Sequence, residues 1–179
     1  AAFSRGLRVT HIAGALGELV MGGTAPLVVA GTHGKTTTTA IAAWLAEASG
    51  LAPGFLVGGI PKNFGKSFHP AGYHEARRAA RPGLPVAGRP RRVPFVIEGD
   101  EYDTAYFEKT AKFLHYGAEV AIVTSIEHDH VDIYPTLESY LDAFSRFVAG
   151  VPETGLIVAN ASDPVVVELV ERSARAEIA

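Results

Sequence analysis

The chain has 179 residues, of which 16 are basic and 19 acidic, so its formal net charge at pH 7 is −3. This length predicts a single domain with a sizeable core. The small negative charge excludes a general attraction to nucleic acid or to an anionic membrane, and neither is expected as a partner. The absence of cysteine excludes disulfides, and no apolar run has the length of a membrane span, so we expect a soluble cytoplasmic chain.

The apolar pattern along the chain predicts short strands that alternate with helices. This alternation is typical of an α/β domain in which helices cover both faces of a mostly parallel sheet. Asp163 or Ser162 is expected to cap the last helix, Pro164 fits its first turn, and Gly50 is expected just beyond the end of the second helix. Helices are predicted over residues 13–21, 35–49, 136–149 and 163–175, and strands over 26–30, 54–57, 95–98, 112–116, 120–125 and 156–159.

Residues 71–92 interrupt this pattern because they are rich in arginine and proline and contain Glu75 as their only acid. Such a composition favours a flexible, solvated insertion between two strands. The alternative is an anion-binding lid over a phosphate site.

A phosphate-binding loop is predicted where the first apolar strand meets the second helix, in the sequence G-T-H-G-K-T of residues 31–36. Lys35 can reach the β and γ phosphates of a nucleoside triphosphate, and the Thr36 hydroxyl can ligate Mg²⁺. The loop is a shortened form of the strict Walker pattern, which has glycine where this chain has Val29, and an ordinary surface turn is the alternative. Together with the alternating elements, it predicts a P-loop-containing, three-layer α/β domain. The predicted nucleotide-binding residues are Gly31, Thr32, His33, Gly34, Lys35, Thr36 and Thr37.

Two acidic motifs follow later strands, and strand ends of a parallel sheet border its ligand-binding crevice. Glu98 ends the strand predicted over residues 95–98 and can supply an oxygen ligand to Mg²⁺, whereas Glu101 is expected in a solvated acidic turn. After the strand over residues 120–125 comes the sequence E-H-D-H-V-D. Only one of its two histidines is expected to reach the site, and a purely structural histidine is the alternative.

These three motifs, in this order and spacing, resemble the central ATPase domain of the Mur ligases, the ATP-dependent amide-forming enzymes of peptidoglycan synthesis. The histidine in the loop resembles members that act directly on UDP-N-acetylmuramate. Further motifs resemble those of members that add the murein tripeptide L-alanyl-γ-D-glutamyl-meso-diaminopimelate in peptidoglycan recycling. Members that add L-alanine typically have the sequence E-S-D where this chain has E-Y-D. These further motifs cover residues 58–64, 101–107 and 112–116.

The resemblance implies a reaction through an acyl phosphate, with ATP and Mg²⁺ required and with UDP-N-acetylmuramate and the tripeptide as substrates. It implies that Lys35, Glu98 and His130 are catalytic, that Thr36 and Glu98 hold one Mg²⁺, and that His130 helps to bind a second. Gly58, Gly59 and Asn63 are implied to face the muramate substrate.

The family's enzymes also have an N-terminal UDP-binding and a C-terminal domain, so the resemblance implies that residues 1–179 are a central fragment, inactive as a ligase alone. The alternatives are an L-alanine-adding ligase domain and a nucleotide-binding module without catalysis. One departure from the family pattern is Ser125, where asparagine is common.

Overall fold

A seven-stranded sheet is the centre of the fold in the computed structural model, which describes residues 3–71, 92–105 and 108–179. The strands are β1 (Ala25–Ala30), β2 (Gly54–Leu56), β3 (Phe68–His69), β4 (Pro94–Glu98), β5 (Asp103–Ala105), β6 (Glu108–Ala111), β7 (Val120–Val123), β8 (Leu156–Ala159) and β9 (Glu177–Ile178). Their order across the sheet is β3-β2-β4-β1-β7-β8-β9, while β5 and β6 form a separate antiparallel pair.

The strand β1 lies in the middle of the sheet and pairs in parallel with β4 and β7. The register places Val29 opposite both Glu98 and Ile122. All pairs in this sheet are parallel except that of β2 with β3 at one edge. The carboxyl ends of β1, β4 and β7 therefore meet at one edge of the sheet, where the predicted phosphate loop begins.

Helices precede and connect these strands. They are α1 (Ile12–Ala15), continued by a π-helical turn (Leu16–Val20), α2 (Lys35–Ala48), α3 (Leu137–Ala149) and α4 (Pro164–Ser173), with 3₁₀ turns at Phe3–Arg5 and Lys112–His115. The predicted end signals are confirmed: Asp163 accepts hydrogen bonds at the start of α4, and Gly50 has a φ of 76° beyond α2. No helix in the described part of the chain is long and apolar enough to cross a membrane.

The core lies on both faces of the sheet, as the three-layer prediction requires. On one face, Ala43 of α2 packs with Val96 and Phe55. On the other, residues of α3 and α4 such as Phe144 and Val166 pack with alternate strand residues. Neighbouring residues in a strand point to opposite faces, so each strand contributes to both layers of packing.

The prediction of a strand over residues 112–116 is wrong, because most of these residues form the 3₁₀ turn Lys112–His115. The Phe113 side chain is buried, but the backbone N–H groups of Lys112 and Phe113 donate to the carbonyls of Tyr102 and Asp100 instead of to a neighbouring strand. The short strands β3, β5, β6 and β9 have no predicted counterpart.

The large apolar side chains of α2 do not form its buried face. Ile41, Trp44 and Leu45 are exposed, and the helix buries Thr39 and Ala43 against the sheet. Small side chains on this face let the helix lie close to the strands.

The Arg/Pro-rich insertion lies outside the described residues, apart from its ends at Ala71 and Arg92. Arg92 forms an ion pair with Glu119 and donates a hydrogen bond to the carbonyl of Thr24. The chain is thus anchored just before β4.

Candidate active site

The loop between β1 and α2 depends on two glycines with positive φ. Gly31 has a φ of 138° and Gly34 a φ of 81°, both in the region that favours glycine. A Cβ added to Gly31 would lie only 2.1 Å from Thr124 Oγ1, so the backbone there is in close contact with the chain after β7. Gly34 is the N-cap of α2, so the first N–H groups of the helix, which have no acceptor within the helix, directly follow the loop.

The segment that follows β7 holds the phosphate loop in place. Thr32 N donates to the Ser125 carbonyl at 2.8 Å, and His33 N donates to Ser125 Oγ at 3.0 Å. Thr124 Oγ1 donates to the His33 carbonyl at 2.6 Å. Ser125, the departure from the family pattern, thus binds the loop through both its backbone and its hydroxyl.

The Thr32 side chain makes a second set of contacts. Its Oγ1 accepts a hydrogen bond from Glu127 N at 2.9 Å and lies 2.9 Å from the hydroxyl of Tyr140 on α3. These contacts fix the loop conformation from two sides, and a preformed loop lowers the entropic cost of binding a ligand.

Thr36 and Glu98 lie together at the end of β4. Thr36 Oγ1 donates to Glu98 Oε1 at 2.8 Å, and Gly58 N donates to Glu98 Oε2 at 2.8 Å. A Cβ at Gly58 would lie 2.7 Å from Glu98 Oε2, so glycine permits this approach. A hydroxyl and a carboxylate are hard oxygen donors of the kind that Mg²⁺ takes beside phosphates, and these two side chains fit such an ion.

An open cleft of about 270 Å³ lies over the start of α2. Gly59 lies close to it, since a Cβ there would be 3.4 Å from Thr36 Cγ2, while Asn63 is exposed in the turn after β2. The cleft is lined by Thr32, His33, Gly34, Lys35, Thr36, Thr37 and Glu98.

Lys35 is in a different environment from the solvent-facing position expected of a loop residue. Its ammonium donates to the carbonyls of Gly31 at 2.6 Å and Thr32 at 3.2 Å, and to Glu101 Oε1 at 3.1 Å. Only 14% of the Lys35 side chain and 2% of the Glu101 side chain are exposed. The expectation of a solvated Glu101 is therefore wrong: the carboxylate is buried as the counter-ion of the lysine.

His130 approaches the same carboxylate from the loop after β7. Its Nε2 lies 3.2 Å from Glu101 Oε1, its ring lies 4.3 Å from the ring of Tyr102, and its side chain is 19% exposed. The backbone there has a φ of 56°, unusual for a residue with a side chain. His128 has another partner, because its Nε2 lies 2.9 Å from the carbonyl of Tyr134.

Tyr134 completes this part of the site. Its hydroxyl donates to the Glu101 carbonyl at 2.5 Å, and burial raises the pKa of Tyr134 to about 12. Among the described residues, no group of three or more histidine, aspartate and glutamate side chains forms a metal site. A second metal ion at His130 thus stays a prediction.

Glu101 and Tyr134 are the site residues that the sequence analysis missed. The glutamate was visible within the acidic motif, but nothing in the local pattern distinguishes a buried acid from a solvated one. The only available signal was its position three residues after Glu98, close to the end of β4.

Comparison with known proteins identifies the family. Residues 29–179 match the model of the Mur ligase middle domain. A UDP-N-acetylmuramate–L-alanyl-γ-D-glutamyl-meso-2,6-diaminoheptandioate ligase of Haemophilus influenzae is 42% identical over 137 residues, which are 76% of this chain and 26% of that protein. A UDP-N-acetylmuramate–L-alanine ligase of Renibacterium salmoninarum is 37% identical over 172 residues, or 96% of this chain and 31% of that protein.

A solved structure gives the same result. The UDP-N-acetylmuramate:L-alanyl-γ-D-glutamyl-meso-diaminopimelate ligase from Neisseria meningitides superimposes with a TM-score of 0.80 at 36% identity, covering 99% of this chain and 52% of that one. The chain spans about a quarter of the length of the first of these curated relatives. Because the family model covers most of the sequence, the chain belongs to the Mur ligase middle domain family.

Proposed function

We propose that this chain is the central ATP-binding domain of a longer ligase that joins UDP-N-acetylmuramate to the murein tripeptide L-alanyl-γ-D-glutamyl-meso-diaminopimelate. The observation that carries the proposal is the joint position of the phosphate loop, Thr36 and Glu98 around one cleft. Because the reaction consumes ATP, an intracellular metabolite, a cytoplasmic location follows from the same proposal.

ATP binding uses the start of α2. The N–H groups of the first helical turn have no acceptors within the helix and, with the positive end of the helix dipole, attract the phosphates. Lys35 adds its charge at the β and γ phosphates. A Mg²⁺ ion held by Thr36 and Glu98 would neutralise further charge on the triphosphate.

The reaction has two chemical steps. A carboxylate oxygen of the muramate lactyl group attacks the γ-phosphorus of ATP, the bond to the bridging oxygen breaks, and ADP leaves with that electron pair. The α-amine of the tripeptide then attacks the acyl carbon, phosphate leaves, and the amine proton passes to solvent. The protein's contribution is to position the reactants and to stabilise the charge on the transferring phosphoryl group, which is the role proposed for Lys35.

The identity of the amine substrate rests on similarity. The relative named for the tripeptide substrate is more similar to this chain than the relative named for L-alanine, at 42% and 37% identity over different lengths. The Neisseria structure carries the tripeptide name as well. Gly58 and Gly59 lie beside Glu98 and Thr36 and are proposed to face the muramate end of the acceptor.

A ligation assay on the complete enzyme tests this proposal. Purified enzyme is incubated with ATP, Mg²⁺ and UDP-N-acetylmuramate, and with either the tripeptide or L-alanine, and the products are identified by mass. We expect a tripeptide adduct and one phosphate released per amide formed. An adduct with L-alanine alone would assign the chain to the L-alanine-adding ligases, and ATP binding without either adduct would favour a non-catalytic module.

A second measurement uses the 179-residue chain alone. We expect weak ATP binding that depends on phosphate and Mg²⁺, with little discrimination between ATP and GTP, because the described cleft is formed by the phosphate loop and Glu98. Calorimetric titration with both nucleotides checks it. Strong rejection of GTP would show that this chain already contains a complete adenine site.

A further inference from the structure

Glu101 is the one buried carboxylate among the described residues, with 1% of the residue exposed. Burying an ionised carboxylate is costly unless a charge partner and hydrogen bonds compensate for the lost water. The burial of Glu101 therefore needs a physical reason. Phosphate binding by the loop and Mg²⁺ binding by Thr36 and Glu98 do not supply one.

The carboxylate lies between the side chains of Lys35 and His130. Its Oε1 is 3.1 Å from Lys35 Nζ and 3.2 Å from His130 Nε2, so a single oxygen contacts both side chains. Its Oε2 is 3.0 Å from Lys35 Nζ but accepts no well-aligned hydrogen bond within the described part of the chain. The backbone of Glu101 is fixed by the Tyr134 hydroxyl at 2.5 Å.

We infer that Glu101 is a positioning residue for phosphoryl transfer, and that its carboxylate holds the Lys35 ammonium and the His130 imidazole in a fixed relative position. This role rests on the proposed ligase function. A lysine has a flexible four-carbon stem, so its ammonium is located accurately only when fixed acceptors surround it. The loop carbonyls of Gly31 and Thr32 orient the stem, and Glu101 supplies the contact that links it to the histidine.

The neighbouring residue Asp100 has a more exposed carboxylate than Glu101 in the same turn. Asp100 pairs with Lys112 at 2.6 Å, and its side chain is 37% exposed. Within the described part of the chain, its side chain contacts Lys112 and the backbone N–H of Tyr102. Asp100→Asn therefore removes one negative charge from the turn without removing a contact to Lys35 or His130. It serves as the matched control.

The experiment compares Glu101→Gln, Glu101→Asp and Asp100→Asn with wild type in the complete ligase. The value of kcat, the KM for ATP and the melting temperature are measured for each. For Glu101→Gln we expect kcat to fall by at least about tenfold while the KM for ATP changes less than about threefold, since misplaced groups affect the transition state more than binding. Asp100→Asn is expected to keep kcat within about twofold of wild type.

The two Glu101 variants separate positioning from folding. Glu101→Asp keeps the charge on a shorter stem, so it is expected to fold while showing a similar loss in kcat. If Glu101→Gln does not fold, the kinetics of Glu101→Asp decide the matter. Wild-type kcat in a folded Glu101 variant, or an equal loss in Asp100→Asn, would overturn the inference. If wild-type enzyme forms no amide, the proposed function fails and the role of Glu101 in it fails as well.

Discussion

Replacing Lys35 with methionine removes the ammonium charge while keeping most of the apolar stem. The lysine is 14% exposed and its partner Glu101 is 2% exposed, so the substitution leaves a carboxylate buried without its counter-ion. Breaking a buried pair by removing one partner typically costs about 3–5 kcal/mol. We therefore expect Lys35→Met to destabilise the chain as well as to abolish ligation, in contrast to the small effect expected of a solvent-facing loop residue.

A loss of about 3 kcal/mol corresponds to a fall of about 6–12 °C in melting temperature for a chain of this size. The matched control is Lys112→Met, because Lys112 also pairs with an acid, at 2.6 Å, but with 26% of its side chain exposed. Solvent weakens this partly exposed pair, which is expected to contribute less than about 1 kcal/mol, so the control should melt within about 4 °C of wild type.

A double-mutant cycle tests whether the cost comes from the unpaired charge. Thermal and urea unfolding are measured for Lys35→Met, Glu101→Gln and the combined variant. Removing both charges should restore at least half of the stability lost in Lys35→Met, because no buried charge then lacks a partner. A combined loss equal to the sum of the single losses, or an unchanged melting temperature for Lys35→Met, would refute the reasoning.

Three further predictions concern the metal, the loop and pH. In the complete ligase, Glu98→Gln should raise the Mg²⁺ concentration for half-maximal turnover by about tenfold, and an unchanged Mg²⁺ titration would contradict this. Gly31→Ala should lower the melting temperature more than Gly6→Ala, because a Cβ at Gly31 meets Thr124 Oγ1 at 2.1 Å whereas Gly6 faces open space; equal shifts would contradict it. Burial raises the pKa of Tyr134 to about 12, so the stability that its neutral hydroxyl contributes should be constant below about pH 10 and fall as pH rises towards 12. The urea midpoint should decline less across that range in Tyr134→Phe than in wild type. An equal decline in both proteins would show that ionisation of Tyr134 is not the cause.

The parts of the fold that the sequence predicted are those determined by neighbouring residues. The strand, glycine loop and helix around Lys35 are contiguous, and their pattern alone places Thr36 at the start of a helix. Asp163 caps its own helix through Val165 and Val166, only two and three residues away. Such local signals need no knowledge of the rest of the chain.

The parts that could not be predicted depend on contacts between distant residues. Glu101 is buried because Lys35, which is 66 positions away, and Tyr134, which is 33 positions away, contact it. The segment Lys112–His115 contains the adjacent apolar residues Phe113 and Leu114, which fit a short buried strand, but its backbone bonds to the turn that contains Glu101. Two-residue strands such as β3 are too short to give a periodic signal.

The position of Lys35 links stability to nucleotide binding. An ammonium has three N–H donors, and in this structure they are shared among two loop carbonyls and Glu101. Contact with a phosphate requires the lysine to give up at least part of one of these bonds, so some of the attraction to ATP replaces an existing interaction. The net gain in affinity from Lys35 is consequently smaller than its charge suggests, and the larger effect of the lysine is on the transferring phosphoryl group, where negative charge is redistributed during the reaction.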